Sequence, residues 1–359
     1  MTGFGGSNMK IVQLNNAVQV TDIDLEDDEQ CTELGRLVAH ECVVFVDDKV
    51  SEERLHAIHM LWGQPCRAII HRYVGERKLS GKHWRSLLLN LGHISNAVDG
   101  FAEKGGMSRV SPILNEKGKP TGIFTNGKLD WHSDQQSYHE SQRVVGLMSL
   151  WGSKNSQTVF LCTAPAYEAL NHEDKSMVDE LHSVWAWDGG ELGGDLIDSQ
   201  KEIIRYNTVP LPEMENPLLD QTATGRKGIR FPSHCFSHFR GMSKKDSLAY
   251  RDHLWSLLNK PEYIYTRDWE DGQIVFMDQN ITLHARPTDI TMTDTRTMNR
   301  MNSYMDRLYP DAAPLDHVLY KGEKIDHDTF AALVDEERRK TFYEEQGGHH
   351  VKAEIPVNA

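Results

Sequence analysis

The chain has 359 residues, 39% of them hydrophobic, and its 53 acidic side chains outnumber 39 basic ones to give a formal net charge of −14. This length and composition allow a sizeable core and exclude general disorder. The acidic surplus repels phosphate backbones and anionic lipids, so we expect neither a nucleic-acid nor a membrane partner.

The spacing of the cysteines and the lack of a long apolar run indicate the cellular compartment of the protein. The five cysteines are scattered and never spaced as CxxC, which predicts a reducing environment, no disulfide framework and no thiolate zinc site. The chain has no apolar run of about 18 residues, and its N-terminal residues lack an apolar signal core. We therefore expect a soluble cytoplasmic protein.

The first elements in chain order form a β-α-β-α unit that extends to about residue 65. Alternating apolar residues predict strands within 9–22, and helical spacing predicts a helix through 34–38. The run CVVFVDD at 42–48 predicts a short buried strand. Ser51 is a suitable N-cap for a second helix, which we expect to end at Trp62-Gly63.

The next segment, at about 66–130, is irregular, with scattered basic and aromatic residues and a Gly/Pro-rich stretch at 105–122. Long loops within a compact domain are usually lids or binding loops, although plain surface connections also occur. We expect an active-site lid region here, within a single domain 1–359 that ends in a C-terminal tail at about 340–359.

After residue 130, short apolar runs are separated by turns and short helices. The runs are VVGLMSLWG, TVFLCTA, IVFMDQN and TMNRMNSYM. Strands spaced in this way fit a sandwich or barrel better than a doubly wound sheet. The sequence therefore predicts a mainly β fold with flanking helices.

Two separated segments offer metal ligands. His132 and Asp134 stand at positions i and i+2, which point to the same side on an extended strand, although an HxD triplet is also common in plain surface turns. His284 follows a turn, a buried strand and a second turn, so we expect it at a strand start near the mouth of a sandwich. Two histidines and one carboxylate are the ligands of non-haem Fe(II) oxygenases.

Two arginines follow the second histidine. If their segment is a strand, Arg296, Met298 and Arg300 share one face. Guanidinium groups on the inward face of an apolar strand need anions to pair with. The alternative is two salt-bridged surface arginines, and the metal-ligand pattern favours the inward orientation.

These motifs resemble the taurine dioxygenase / 2,4-dichlorophenoxyacetate dioxygenase (TauD/TfdA-like) family of Fe(II)/2-oxoglutarate-dependent dioxygenases. The similarity covers roughly residues 43–309. It is sharpest in WHSDQQSY, TVFLCTAPAYEAL and TGRKGIRF, and in the stretch from PEYIYTRDWEDG to LHARP. It implies a double-stranded β-helix, the jelly-roll fold of the cupin-like proteins.

The resemblance also implies residue roles and cofactors. The implied iron ligands are His132, Asp134 and His284. Thr158 and Arg296 match the residues that hold the distal carboxylate of 2-oxoglutarate, and Arg300 matches an arginine that meets an anionic substrate group in several members. Fe(II), 2-oxoglutarate and O2 are the implied cofactor and cosubstrates.

The lid region supplies further candidates for substrate contacts, although each taken alone is more typical of an ordinary solvated loop residue. These candidates are His71, Tyr73, Asn96 and Lys128.

The implied reaction is hydroxylation, desaturation or cyclisation at an unactivated C–H bond of a small, anionic or amino-acid-like substrate, with release of succinate and CO2. Halide-transferring enzymes of the wider fold replace the acidic ligand by Gly or Ala, so Asp134 argues against halogenation. The alternatives are a non-catalytic jelly-roll ligand-binding or sensor protein, and a family member acting on a peptide, protein or nucleobase. A homo-oligomer is left open.

One stretch departs from the consensus sequence of the family. Relatives often read WepGDlvlWDN before the distal histidine, whereas this chain has Gln273, Met277 and the tripeptide at 278–280. We expect this departure to alter the strand without touching a ligand.

Overall fold

Two β-sheets face each other across the centre of the molecule. A computed structural model of the chain describes residues 9–66, 107–111, 127–134, 143–185, 213–233, 236–290, 295–333 and 336. Within these residues the strands are β1 (Lys10–Gln13), β2 (Val18–Thr21), β3 (Val43–Val46), β4 (Met107–Val110), β5 (Gly127–His132), β6 (Arg143–Trp151), β7 (Gln157–Cys162), β8 (His182–Trp185), β9 (Met214–Pro217), β10 (Leu219–Gln221), β11 (Lys227–Ile229), β12 (Phe236–Phe239), β13 (Ile264–Asp268), β14 (Ile274–Asp278), β15 (Thr282–Ile290), β16 (Thr297–Tyr304), β17 (His317–Tyr320) and β18 (Glu323–Asp326).

Helices lie outside these sheets. They are α1 (Asp28–Glu41), α2 (Glu52–Trp62), α3 (Ala164–Ala169), α4 (His172–Glu180) and α5 (Lys244–Leu258), with 3₁₀ turns at Pro261–Tyr263 and Pro310–Ala312. No helix among the described residues is long and apolar enough to cross a membrane.

The two facing sheets differ in size. The larger sheet has the strand order β1-β2-β3-β14-β6-β16-β4, and the smaller sheet has the order β13-β7-β15-β5. Except for the parallel β2–β3 pair, the strands of both sheets pair antiparallel. A five-stranded sheet, β12-β8-β9-β17-β18, and the hairpin β10-β11 complete the described strands.

The core follows from the alternation of side chains along each strand. On β3, Val43 and Phe45 pack between the two facing sheets, whereas Val44 and Val46 pack behind the larger sheet with residues of α1 and α2. On the smaller sheet, Phe160 points into the space between the sheets. Leu161, its neighbour in sequence, instead packs outside with α5. The predicted mainly β architecture with flanking helices is therefore confirmed.

The predicted β-α-β-α start is also confirmed, because β1, β2, α1, β3 and α2 follow each other in that region. Ser51 is the N-cap of α2, and its Oγ accepts a hydrogen bond from the Arg54 backbone N–H at 3.0 Å. The C-cap of α2 is Gly63, as expected.

The segment at 66–130 is not wholly irregular, contrary to expectation. β4 forms an edge of the larger sheet by pairing with β16, and β5 begins at Gly127. β4 has four residues between a Gly-rich and a Pro-rich stretch, which is too short for alternation to be recognised. The lid role stays a prediction, and His71, Tyr73, Asn96 and the tail at 340–359 lie outside the described residues.

A close helix contact fixes the layer behind the larger sheet. A Cβ added to Gly35 on α1 would lie 2.4 Å from Trp62 Nε1 and 2.8 Å from Leu308 Cδ1. Trp62 cannot move aside easily, because it is fully buried and its Nε1 donates to the Cys31 carbonyl at 2.8 Å. The two helices can therefore approach this closely only with glycine at position 35.

We expect Gly35→Ala to lower the free energy of unfolding by about 1–3 kcal/mol, because overpacking outweighs the helix propensity of alanine, worth about 1 kcal/mol. Chemical denaturation measures this change. Arg36→Ala, at the exposed neighbouring position, is the matched control and should change stability by less than about 0.5 kcal/mol. A Gly35→Ala variant as stable as the wild type would contradict the close packing.

Candidate active site

Three side chains that can ligate a metal converge between the two facing sheets. β5 and β15 pair so that His132 lies directly opposite His284. Their ring centroids are 4.3 Å apart. One ligand atom from each of His132, Asp134 and His284 lies within 4.8 Å of the others. The structure thus brings together the three residues that the sequence analysis selected.

Asp134 does not lie on the same strand as His132, contrary to the expectation from their i, i+2 spacing. β5 ends at His132, and Asp134 lies in the following turn rather than on the same strand. The side-chain Oε1 of Gln279 accepts the Asp134 N–H at 2.7 Å, and Arg143 Nη2 donates to the Asp134 carbonyl at 2.9 Å. The Ser133 hydroxyl donates to the backbone carbonyl of Gln279. These hydrogen bonds place the carboxylate, whereas strand alternation does not.

The same contacts correct the expectation about the unusual tripeptide at 278–280. Gln279 belongs to that tripeptide, and it holds the backbone of a ligand residue directly. The expectation that the departure touches no ligand is therefore wrong. The contact was not apparent from the sequence, because its partners are 145 positions apart.

The ring of His132 is held in one orientation. Its Nδ1 lies 2.6 Å from the Asp130 carbonyl oxygen, and since a carbonyl only accepts, Nδ1 carries the hydrogen. Nε2 then faces Asp134, with 3.9 Å between this nitrogen and Oδ1. A histidine that donates one ring N–H to a carbonyl and directs the other nitrogen inward is typical of metal ligands.

The ionisation states of the other two residues suit a metal site. Burial opposes ionisation of Asp134, but Arg300, His284, His132 and Arg143 outweigh it and lower the pKa of the carboxyl to about 2. Burial, followed by the neighbouring His132, lowers the pKa of His284 to about 3. At neutral pH the carboxylate is charged and the imidazole is neutral, which are the forms that bind metals.

The surroundings of His284 also test whether these residues suit a bound metal ion. Its Nδ1 is buried and has no hydrogen-bond partner. A purely structural buried histidine is normally satisfied at both nitrogens. The donor set of two imidazoles and a carboxylate fits Fe(II) and leaves positions open for other ligands.

A cavity adjoins the three residues and is walled by both sheets. Its apolar walls include Val110, Leu147, Met277 and Met298. Its polar residues, besides the three above, are Thr158, Arg286, Arg296 and Arg300.

Arg296 is a deeply buried cation of this set. It is only 4% exposed, and its Nε donates to Ser156 Oγ at 3.1 Å. Burial and the neighbouring Arg286 lower its pKa to about 9, so it remains charged at neutral pH. Two adjacent buried guanidinium groups call for an anion between or beside them.

Thr158 lines the cavity near this charge. Its Oγ1 accepts a hydrogen bond from Trp269 Nε1 at 2.8 Å. The hydroxyl hydrogen is therefore left to donate to a ligand in the cavity.

Arg300 already has an anionic neighbour. Its Nη1 lies 3.0 Å from Asp134 Oδ2, and its Nε donates to Ser108 Oγ at 3.1 Å. As predicted, Arg296, Met298 and Arg300 all face one side, which is the cavity. Lys128 is exposed on β5 and is not among the cavity-lining residues, so the structure does not bring it to this site.

Two contributors were missed by the sequence analysis. Arg286 stands two residues after His284 on the same strand, so alternation alone could have placed it on the cavity side. Gln279 carried no comparable signal, since its role depends on a contact between distant turns.

The fold and the site together define a class of protein. Facing antiparallel sheets that hold two histidines and a carboxylate beside an arginine-lined cavity are those of a 2-oxoglutarate-dependent dioxygenase, an oxidoreductase. Residues 10–302 match the model of the taurine catabolism dioxygenase TauD, TfdA family. The chain belongs to this family, whose enzymes use Fe(II), 2-oxoglutarate and O2.

Individual relatives are distant. The chain is 24% identical to pentalenolactone F synthase of Streptomyces avermitilis over 211 residues, which are 55% of this chain and 68% of that protein. A taurine dioxygenase from Burkholderia xenovorans is 18% identical with a TM-score of 0.58, and the match covers 91% of this chain and 99% of that one. The crystal structure of AAD-2 in complex with Mn(II) and N-oxalylglycine is 18% identical with a TM-score of 0.56, covering 82% and 97%. These likenesses confirm the predicted jelly-roll fold.

We expect Gln279→Leu to weaken Fe(II) or Mn(II) binding by about 10- to 100-fold, because the Asp134 turn loses the acceptor that orients it. Anaerobic metal titration followed by calorimetry measures this change. Gln273→Leu is the matched control, since Gln273 accepts the Glu270 N–H at 2.9 Å in a turn away from the site. Equal metal affinities in the two variants would show that Gln279 does not position Asp134.

Proposed function

We propose that this dioxygenase binds Fe(II) through His132, Asp134 and His284, and that it hydroxylates, desaturates or cyclises a small substrate at an unactivated C–H bond. The observation that supports the proposal is the approach of their ligand atoms to within 4.8 Å beside the buried Arg296. When bound, Fe(II) supplies the redox chemistry that couples decarboxylation of 2-oxoglutarate to substrate oxidation, with release of succinate and CO2.

The proposed task of Arg296 is to bind the distal carboxylate of 2-oxoglutarate. The guanidinium is held by Ser156 at 3.1 Å, so it loses little freedom when it meets an anion. A charge-assisted pair in a buried cavity is stronger than one in water. Thr158 would donate its hydroxyl hydrogen to the same carboxylate, and Arg286 adds a second positive charge nearby.

The apolar walls serve a second purpose. Val110, Leu147 and Met298 keep water away from the reacting groups once the cosubstrate fills the cavity. Asp134 occupies the acidic ligand position, so no room is left there for a halide. We therefore propose oxidation of the C–H bond rather than halogenation.

Arg300 is the proposed contact for an anionic or amino-acid-like substrate. Its guanidinium has five N–H donors, and Nε and Nη1 face Ser108 and Asp134. Nη2 remains for an anionic group of the substrate. In this arrangement Arg300 links the substrate to the ligand carboxylate.

The remaining expectations form part of the same proposal. We take the chain as one dioxygenase domain with a lid region at about 66–130, where His71, Tyr73 and Asn96 are candidates for substrate contacts. The proposed partner is a small molecule rather than nucleic acid or membrane, in line with the net charge of −14, and the proposed location is the cytoplasm.

Anaerobic addition of Fe(II) and 2-oxoglutarate should give a weak visible charge-transfer band, which His132→Ala should abolish. Arg296→Lys should raise the 2-oxoglutarate concentration needed for half of the band by about 10- to 100-fold, because a charge-assisted hydrogen bond worth about 1.5–3 kcal/mol is lost. Arg267→Lys is the matched control, since Arg267 is also buried but pairs with Asp47 away from the cavity. No band in the wild type, or an unchanged band in His132→Ala, would overturn the iron assignment.

A screen of anionic metabolites and amino-acid derivatives should find compounds that stimulate succinate formation above the uncoupled rate. Each acid is compared with its neutral amide, and we expect the acid to be preferred because of Arg300. If 2-oxoglutarate binds but no acid stimulates turnover more than its amide, the role of Arg300 in substrate binding is wrong.

A further inference from the structure

A pair of buried thiols lies outside the cavity, next to the turn that precedes His284. Cys42 follows α1 and Cys162 ends β7, and the two pack together with Ala164 and Ile281 in one small cluster. Both cysteines are free thiols. The structure thus places two sulfur atoms together that are 120 positions apart in the chain.

Hydrogen bonds hold the two cysteines on either side of the turn between β14 and β15. The Cys42 carbonyl accepts the Asp278 N–H at 2.8 Å. Cys162 lies opposite Thr282 in the β7–β15 pairing. Regular backbone contacts therefore anchor both cysteines next to this turn.

The electrostatic surroundings make the two thiols unequal. A hydrogen bond from the Cys42 thiol lowers the pKa of Cys162 against the effect of burial, and Arg226 lowers it further. The contact with Cys162, together with burial, raises the pKa of Cys42. Arg226 Nη1 also lies 3.9 Å from Cys42 Sγ. Cys162 is thus the more acidic thiol of the pair, and Cys42 donates the hydrogen bond between them.

Cys162 is buried, but it borders a pocket that could admit a small polar molecule. It lines a polar pocket whose other residues include Arg226, Glu41 and Asn15. A nearby arginine favours the thiolate form of a cysteine, which is the form that reacts with oxidants.

The backbone of Cys42 does not require a cysteine. Its φ is +71°, in the left-handed region that favours glycine, and its N–H ends α1 by donating to the Val38 carbonyl at 3.0 Å. Glycine would end the helix without strain. The role of Cys42 as the C-cap of α1 therefore does not explain why a thiol side chain is present at this position.

We propose that Cys42 and Cys162 form a peroxide-reactive thiol pair that closes reversibly to a disulfide. The Cys162 thiolate attacks one oxygen of hydrogen peroxide, the O–O bond breaks, and a sulfenic acid and one water result after a proton is taken up. The Cys42 thiol then attacks the sulfenic sulfur, an S–S bond forms, and a second water leaves. In total, two thiols lose two electrons and one peroxide is reduced to two waters.

Cys31 offers a matched control within the same chain. It is also buried beside an arginine, with Arg54 Nη2 at 3.4 Å from its sulfur. Its surroundings differ from those of Cys162. The Cys31 thiol donates to the Leu25 carbonyl, and burial raises its pKa to about 11. The proposal predicts that Cys31 stays reduced under conditions that oxidise Cys162.

The test treats the reduced full-length protein with hydrogen peroxide, alkylates the remaining thiols after denaturation, and maps the peptides by mass spectrometry. We expect a Cys42–Cys162 linked peptide that dithiothreitol reverses, and oxidation of Cys162 at least about tenfold faster than that of Cys31. In Cys42→Ser, dimedone should trap a sulfenic acid on Cys162. In Cys162→Ser, Cys42 should stay a thiol at the same peroxide concentration.

Circular dichroism and thermal unfolding check that each serine variant is folded. If a variant does not fold, the peptide map of the wild-type protein still tests the proposal. Folded wild-type protein in which both thiols remain alkylatable after peroxide treatment would overturn the proposal. Oxidation of Cys31 as fast as that of Cys162, or overoxidation of Cys162 without a link to Cys42, would also overturn it.

Discussion

The hydrogen bonds around Gln279 are the interaction on which the geometry of the site depends. Gln279 lies in the turn between β14 and β15, and its side chain accepts the backbone N–H of Asp134 from the turn that follows β5. Asp278 stabilises the first of these turns, because its Oδ1 accepts the Asn280 N–H at 2.9 Å. His284 is placed by the pairing of β15 with β5 and β7. Two turns from different parts of the chain thus act as one rigid support.

Buried charge is the second constraint, and it explains why the cavity suits anions. The cavity is lined by the guanidinium groups of Arg286, Arg296 and Arg300. Asp134 is the one carboxylate among its described lining residues. Asp134 pairs with Arg300, which leaves an excess of positive charge around Arg296. Burying such charge without a partner is unfavourable. An anionic cosubstrate would therefore complete the cavity, although the chain as a whole carries a net charge of −14.

The turn between β14 and β15 connects regions with different chemistry. On one side Gln279 meets the metal-ligand turn. On the other side Ile281 packs against Cys42 and Cys162. Thr163, next to Cys162, donates its N–H to the Ile281 carbonyl at 2.8 Å. The thiol pair and the metal-ligand group are therefore both supported by this single short segment of backbone.

The sequence by itself determined the residue types of the site and the elements that carry them. The common face of Arg296 and Arg300 and the early β-α-β-α order follow from local spacing, because side-chain alternation is a property of a single strand or helix. The residue types at 132, 134 and 284 were enough to select the three candidate ligands. Tertiary structure decided the rest. The turn that orients Asp134, the support from Gln279, the edge strand β4 and the contact of Cys42 with Cys162 arise only when distant strands pair. Pairing between segments far apart in the chain leaves no local pattern, so these contacts could not be predicted from spacing alone.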